Sequence, residues 1–352
     1  MAFKSLGAGI SGNLLDDPLF NFGLENDVVV VEAGSGDHVI DAAGTGGLSI
    51  NTGNGHDKID TTLADTGSMQ MIFAGSGDDE IQGGAAEDLL FDGTGNDKAA
   101  LGAGDDTAFA SFGNDRIDGG SGIDTIRFDR INADSHHQFA AEENTSGVRL
   151  DLALTGSQNL GVFGTDTILN FENIIGSLGN DVLAGNAGAN VIRGNSGNDS
   201  LYGRAGNDNL IAGAGRDVVV GGLGADGLDV REASPFSSDY ERDTLRYTSV
   251  LDSGTTAGTR DTIFGFDKGG AATDDRIDLA AIDANARIAG NQAFQFIGAA
   301  AFTAGVAGQV QARTLPGTHD TIVSVDANGD ARADMTIRLA SATFLTAADF
   351  IL

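Results

Sequence analysis

Cysteine is absent from the 352 residues, which excludes disulfides and thiolate metal sites. Basic residues are scarce: 20 Lys and Arg stand against 51 Asp and Glu, for a formal net charge of −31. So acidic a chain repels phosphate backbones and anionic headgroups, which argues against nucleic acid or an anionic membrane surface as partner. No apolar run approaches the ~18 residues of a membrane-crossing helix, so membrane insertion is not expected. The opening MAFKSLGAGISGNLLDDPLF has a single lysine and no apolar core, and so lacks the features of a Sec signal peptide. Catalytic signatures are missing too: there is no HExxH, GxSxG or P-loop. A compact fold cannot carry this charge without counterions. With disulfides excluded, bound metal is the candidate stabiliser.

Glycine is abundant, at 53 residues, and it is phased. Between residues 74 and 127 a nine-residue unit runs six times: AGSGDDEIQ, GGAAEDLLF, DGTGNDKAA, LGAGDDTAF, ASFGNDRID, GGSGIDTIR. Between 176 and 229 it runs six times again: GSLGNDVLA, GNAGANVIR, GNSGNDSLY, GRAGNDNLI, AGAGRDVVV, GGLGADGLD. Position four is glycine except at Ala86, and position six is aspartate except at Asn190. Position eight is aliphatic, weakened only at Ala99 and Ala108. Glycines at positions two and four permit backbone angles barred to residues with a Cβ, so this half of the unit is a turn. The remaining three residues form a strand that sends position eight to one face and its neighbours to the other.

Two units then make one coil of 18 residues, with turns on opposite edges and the aliphatic side chains between two thin parallel sheets. Aspartates one coil apart stack along each edge. Asp79, Asp97 and Asp115 face Asp88, Asp106 and Asp124; Asp181, Asp199 and Asp217 face Asn190, Asp208 and Asp226. Carboxylates one strand spacing apart, ~4.8 Å, repel unless a cation lies between them. Carboxylate and carbonyl oxygens suit calcium rather than zinc or copper. Two gaps on each edge of two arrays predict about eight ions.

The units resemble the repeats-in-toxin (RTX, haemolysin-type) calcium-binding nonapeptide, whose fold is the parallel β-roll. The resemblance implies that one ion takes the carbonyls of positions two and four and the aspartate of one turn. It also takes the carbonyls of positions one and three and the aspartate of the turn one coil on. Carried onto this sequence, the first site is Gly75, Gly77 and Asp79 with Asp92, Thr94 and Asp97, and the next on that edge is Gly93, Gly95 and Asp97 with Ala110, Phe112 and Asp115. The opposite edge pairs Gly84, Ala86 and Asp88 with Leu101, Ala103 and Asp106, and then Gly102, Gly104 and Asp106 with Gly119, Ser121 and Asp124. In the second array Ser177, Gly179 and Asp181 meet Gly194, Ser196 and Asp199, and Asn195, Gly197 and Asp199 meet Ala212, Ala214 and Asp217. Asn186, Gly188 and Asn190 meet Gly203, Ala205 and Asp208, and Arg204, Gly206 and Asp208 meet Gly221, Leu223 and Asp226. Ala86 and Asn190 depart from the motif, so their sites are expected to be weaker.

Beyond the arrays the signal thins. Residues 1–21 form an atypical N-terminal segment, and 22–73 hold degenerate repeats: FGLENDVVV, AGSGDHVID, AGTGGLSIN and TGNGHDKID. These keep Val29, Ile40, Ile50 and Ile59 at position eight but lose the acid at His38 and Leu48, leaving Asp57 as a metal candidate. The stretch TTLADTGSMQMIF interrupts the beat. Residues 128–175 read as a joining β segment with a polar insert, INADSHHQFAAEENTS, and strand-like runs VRLDLAL and DTILNFENIIGS. From 230 to 352, after the insert VREASPFSSDYER, short strands alternate with polar turns, and TIVSV is expected to pair with MTIRL. The stretches RDTIFGFD, DDRIDLAAID, DANGDARADMTIRL and the ending ADFIL resemble the C-terminal domain of serralysin-type metalloproteases. Such domains follow RTX rolls and carry an uncleaved type I secretion signal, and the terminal Asp349, Phe350, Ile351 and Leu352 fit that signal. The fold expected is therefore all-β: a calcium-bound parallel β-roll of two arrays, capped by a β-rich secretion domain.

Other clusters are weaker. Asp326, Asn328, Asp330 and Asp334 are spaced like a short calcium loop, but glycine sits at position four rather than six, and a plain hairpin turn explains them as well. His136, His137, Glu142 and Glu143 could make a metal or acid–base cluster, but a solvated loop is the simpler view, and the same holds for Tyr240, Glu241 and Arg242. Phe91 and Phe109 should stack on the outward face, by local packing or as a partner stripe. The function expected is that of a secreted, non-catalytic, calcium-binding protein of a Gram-negative bacterium. It would leave the cell unfolded through type I secretion machinery, fold on calcium outside, and act at the cell surface or matrix, through polysaccharide or self-association. The alternative is the folding and secretion module of an extracellular hydrolase or polysaccharide-modifying enzyme. The initial Met and the atypical first residues favour a complete polypeptide. A pore-forming toxin would need long apolar helices that the chain lacks.

Overall fold

A computed structural model describes residues 3–5, 29–44, 47–64, 67–131, 142–231, 241–267, 274–285, 287–342 and 344–352. His136, His137, Tyr240 and most of the N-terminal segment lie outside them. The chain divides into two compact units, Met1–Ser177 and Leu178–Leu352. Among the described residues there is no α-helix; the regular structure is strand and two short 3-10 turns, Gly161–Phe163 and Ala347–Asp349.

In the first unit, one parallel sheet runs Val29–Glu32, Leu48–Asn51, Gln70–Phe73, Asp88–Phe91, Thr107–Phe109, Thr125–Arg127, Asn173–Ile175. The other runs Val39–Gly44, Lys58–Ala64, Glu80–Gln82, Lys98–Ala100, Arg116–Asp118, Thr165–Leu169, with Gln158–Asn159 antiparallel at its edge. Within the array each strand pairs with the one a coil later, Glu80 with Lys98 and Leu89 with Thr107. Position eight faces inward: Ile81, Leu90, Ile117 and Ile126 are buried, as are the small Ala99 and Ala108. This is the parallel β-roll that the nonapeptide beat predicts.

The beat also survives where the sequence obscures it. Lys58 pairs with Glu80, and Leu48 with Gln70. These 22-residue coils are ordinary coils lengthened by four residues, and Gln70–Phe73, inside the apparent interruption, is a strand of the roll with Ile72 in the inward column. Val31, not Val29, stands opposite Ile50. The first degenerate unit is therefore shifted by two residues, a shift that keeps the same face inward because side chains alternate along a strand. The stretch 128–175 is more than a join. Thr165–Leu169 and Asn173–Ile175 are stacked on Arg116–Asp118 and Thr125–Arg127, and they add Ile168 and Ile174 to the core.

The outward Phe91 and Phe109 stack with centroids 4.4 Å apart, Phe73 continues the stack at 4.8 Å, and the Arg127 guanidinium covers Phe109. Phe91 and Phe109 are each only 8% exposed. Mutual packing accounts for this ladder, since offset ring pairs at this spacing are favourable in themselves.

In the second unit, one sheet runs Val191–Ser196, Asn209–Ala214, Gly227–Asp229, Asp261–Phe264, Met335–Leu339, continues through antiparallel Thr321–Asp326 and Gln309–Thr314, and ends in Gln295–Phe296. TIVSV thus pairs with MTIRL. The other runs Val182–Ala184, Ser200–Ala205, Val218–Leu223, Thr244–Arg246, Arg276–Asp278, Phe350–Ile351, all parallel. The stretch after 230, read as a separate β domain, shares its sheets with the second array. Leu245, Ile263, Ile277 and Ile337 extend the buried column begun by Leu183 and Ile192. The turns here lengthen instead of keeping the glycine pattern, so the continuity leaves no nine-residue period in the sequence. The C-terminal Phe350 is itself buried, opposite Ile277 and packed on Phe296.

Candidate metal centre

Turns stack because position four must be glycine. A Cβ on Gly95 would lie 1.7 Å from the carbonyl oxygen of Gly77 one coil below, and Gly95 has φ of +149°. The chain departs from glycine at Ala86, the first regular turn of its edge. At position two of the second array Asn195 and Arg204 hold positive φ of 77° and 80°, which asparagine tolerates better than arginine.

The stacked turns bring the position-six aspartates into continuous ladders. The backbone N–H of Asp57 donates to Asp79 Oδ1 at 2.7 Å, that of Asp79 to Asp97 at 2.7 Å, and that of Asp97 to Asp115 at 2.8 Å. On the opposite edge Asp88 donates to Asp106 at 2.7 Å and Asp106 to Asp124 at 2.8 Å. In the second unit Asp181, Asp199 and Asp217 form one ladder, and Asn190, Asp208 and Asp226 the other. Asn190 keeps the ladder because its amide N–H bonds are independent of side-chain charge; it lacks only the carboxylate. Position-three carbonyls complete the stacking: Thr94 O accepts from Gly77 N, Phe112 O from Gly95 N, Ser121 O from Gly104 N, Ala214 O from Gly197 N and Leu223 O from Gly206 N. A carbonyl oxygen has two lone pairs, so each can still coordinate.

One carboxylate oxygen is thus used by the backbone. The other is not: Oδ2 of Asp57, Asp79, Asp97, Asp106, Asp124, Asp199, Asp208, Asp217 and Asp226 is buried with no hydrogen-bond partner, as is Oδ1 of Asp88. Burial raises the pKa to about 8 for Asp97 and Asp199, about 7 for Asp106 and Asp226, and about 6 for Asp79, Asp88, Asp124, Asp208 and Asp217. Neighbouring carboxylates add to the rise at Asp79, Asp97, Asp106 and Asp199. An ionised, buried carboxylate with an unsatisfied oxygen is costly unless a cation meets it. Among the described residues the Lys and Arg ion pairs fall elsewhere, as in Lys58–Glu80, Arg127–Asp129 and Arg246–Asp278. His38 stands at the acid position before Asp57, its backbone N–H donating to Asp57 Oδ1 and its imidazole meeting that oxygen at 2.9 Å. Hard oxygen donors in stacked pairs fit calcium.

A scan against protein-family models matches the RTX calcium-binding nonapeptide repeat in four copies, at residues 71–99, 91–126, 175–210 and 193–228. Both arrays are RTX calcium-binding repeats. Among solved structures, the chain is similar to the solution structure of the AlgE6R3 subunit from the Azotobacter vinelandii mannuronan C5-epimerase. The match is 28% identical, covers 49% of this chain and 78% of that one, and has a TM-score of 0.21. A search of curated proteins finds no match.

The RTX ladders run past the residues that the motif singles out. Asp115 N donates to Asp166 Oδ1 at 2.8 Å and Asp124 N to Glu172 Oε2 at 2.9 Å. In the second unit Asp217 leads to Asp243 and on to Asp275, and Asp226 leads to Asp261. Asp261 Oδ2 is buried without a hydrogen-bond partner, and Asp166 is pushed up to about 7 by burial. These five acids carry a readable signal: each immediately precedes a strand triplet with an inward aliphatic, as in DTI, DTL and DRI. The nine-residue spacing before them is lost, so they fall outside the periodic pattern.

The loop at 326–334 behaves differently. Asp326 accepts from the amides of Gly329 and Ala331, Asp334 from those of Ala327 and Asn328, and Asn328 Oδ1 from that of Asp330. Their oxygens are turned onto the loop's own backbone and close a hairpin turn rather than a ligand cage. Glu143 pairs in backbone register with Arg130, and Arg242 donates to the carbonyl of Asp274. The other members of these clusters, His136, His137 and Tyr240, lie outside the described residues.

Proposed function

We propose that this is a secreted, non-catalytic RTX protein that folds on calcium outside the cell and works at the cell surface or in the surrounding matrix. The observation that carries the reading is the set of buried, partnerless carboxylate oxygens repeated along four ladders. At a calcium concentration of about ten times Kd each ion adds about 1.4 kcal/mol, so about eight add on the order of 10 kcal/mol. That rivals the roughly 5–15 kcal/mol of an ordinary domain. At the sub-micromolar calcium of a cytoplasm the stabilisation is lost and the acid ladders are unscreened.

The same logic supports type I export through a serralysin-like C-terminal signal. Phe350 is buried as the last strand of the second unit, so a signal located there is legible only before folding. Export of an unfolded chain into millimolar calcium separates the two states. Circular dichroism across a calcium titration tests the folding half: full β structure in chelator refutes it. Co-expression with a type I exporter, with and without the terminal DFIL, tests the export half, and unchanged export of the truncated chain refutes it. Calcium-dependent retention on cells or isolated matrix supports the surface role. Soluble protein accompanied by hydrolase or epimerase activity would instead make this a module of an extracellular enzyme.

A further inference from the structure

At position one of the twelve regular turns a single residue is charged. Position one is glycine, alanine or leucine in every unit but one, where it is Asp92. The side chain at this position is enclosed: Ala74, Leu101 and Ala212 are fully buried, and Ala110 is 2% exposed. Asp92 is 0% exposed as well, and so its carboxylate has been placed where the other turns put a small or apolar group. Its Oδ1 accepts from the adjacent Gly93 N–H at 3.1 Å, and its Oδ2 has no hydrogen-bond partner. Asp92, Asp97 and Asp115 each offer an oxygen, all within 4.8 Å of one another. Ser111, 1% exposed, donates its hydroxyl to Asp115 Oδ2 at 3.3 Å.

In the RTX ligand scheme Asp92 contributes only its carbonyl, and to the gap below. We propose that the Asp92 carboxylate is an additional ligand in the gap between Asp97 and Asp115, which makes that gap the tightest calcium site of the chain and the first to fill. The inference rests on the calcium reading above. Three carboxylates converge there where an ordinary gap has two. For oxygen-ligand calcium sites, ligand charge count and rigidity set affinity, and a third buried carboxylate cannot be satisfied by solvent. The mid-array position matters too. An ion held there orders the Gly93–Asp97 and Ser111–Asp115 turns together, and each neighbouring gap then needs only one further turn, as in a repeat fold that nucleates and propagates.

Calcium binding to the full chain is followed with a chromophoric chelator of comparable affinity. The expected curve has one ion at least about ten-fold tighter than the rest. Asp92→Asn is expected to abolish that step while the total number of ions at saturation is unchanged; Glu80→Gln, the same charge change on an exposed outward strand, is expected to leave it intact. Hydrogen exchange on the unaltered protein at one equivalent of calcium provides a check that needs no variant: amides of residues 93–97 and 111–115 should be protected first. A uniform binding curve, an Asp92→Asn variant that retains the tight step, or first protection elsewhere overturns the inference. No calcium binding at all would instead defeat the calcium reading itself.

Discussion

Asp97→Asn should change the sign of its effect with calcium. Asp97 stands between two gaps, its Oδ1 accepting from Asp79 N and its own N–H donating to Asp115. Asparagine keeps the Oδ1 acceptor, so the ladder's hydrogen bonds persist, and removes only the charge on the buried Oδ2. In calcium at about ten times the Kd of an ordinary gap, both gaps lose their ion's contribution, at least about 1.4 kcal/mol each, for a total of at least about 3 kcal/mol. For a unit of this size that lowers the melting temperature by about 6–12 °C. In chelator the variant gains, because burial and neighbouring acids hold Asp97 up at about 8, and ionising it there is unfavourable. Residual β structure of the metal-free protein at a pH of about 9 should therefore be greater in the variant. Circular dichroism melts in both solvents measure this. A variant as stable as the unaltered protein in calcium, or an effect of the same sign in both solvents, would refute the assignment of this carboxylate as a calcium ligand.

The pH dependence follows from the same groups. Position-six aspartates with folded pKa values of about 6 to 8, against 3.8 unfolded, bind more protons in the metal-free fold than in the unfolded chain. Metal-free β structure should thus be best kept below about pH 4 and be lost as pH rises through 6 to 8. Calcium-loaded protein should behave in the opposite way, losing stability on acidification as protons displace the ion, and melts across that range in chelator and in calcium read both slopes. Gly95→Ala places a Cβ 1.7 Å from Gly77 O, so it should lower stability in saturating calcium by at least about 3 kcal/mol, read from the melting temperature. Asn190→Asp restores the missing carboxylate between Asn186 and Asp208. It should tighten the weakest site of the second array roughly ten-fold in a calcium titration.

Much of this was legible in the sequence because the physical cause is periodic. A strand pleat with a period of two and a turn that requires glycine together fix a nine-residue unit, and from it follow the coil, the inward columns of each array (Ile81 to Ile126, and Leu183 to Leu228) and the stacked aspartates. The regular ladders were found residue by residue. What escaped was whatever does not repeat. Asp166, Glu172, Asp243, Asp261 and Asp275 occupy ladder positions after excursions of irregular length. The DANGDARAD loop has calcium-like spacing, but its oxygens bond its own amides, and spacing alone does not reveal which way a carboxylate turns.

The division has one physical reason. Local chemistry, written in the order of residues, determined the unit, its handed turns and the class of metal it holds. Long-range pairing decided the rest: that Thr165–Leu169 stacks on Arg116–Asp118 across a 51-residue separation, that Phe350 closes a sheet of the second unit, and that Asp92 shares an enclosed space with Asp97 and Asp115. Parallel strands impose no limit on the length of chain between them, so only the folded molecule shows where each excursion returns.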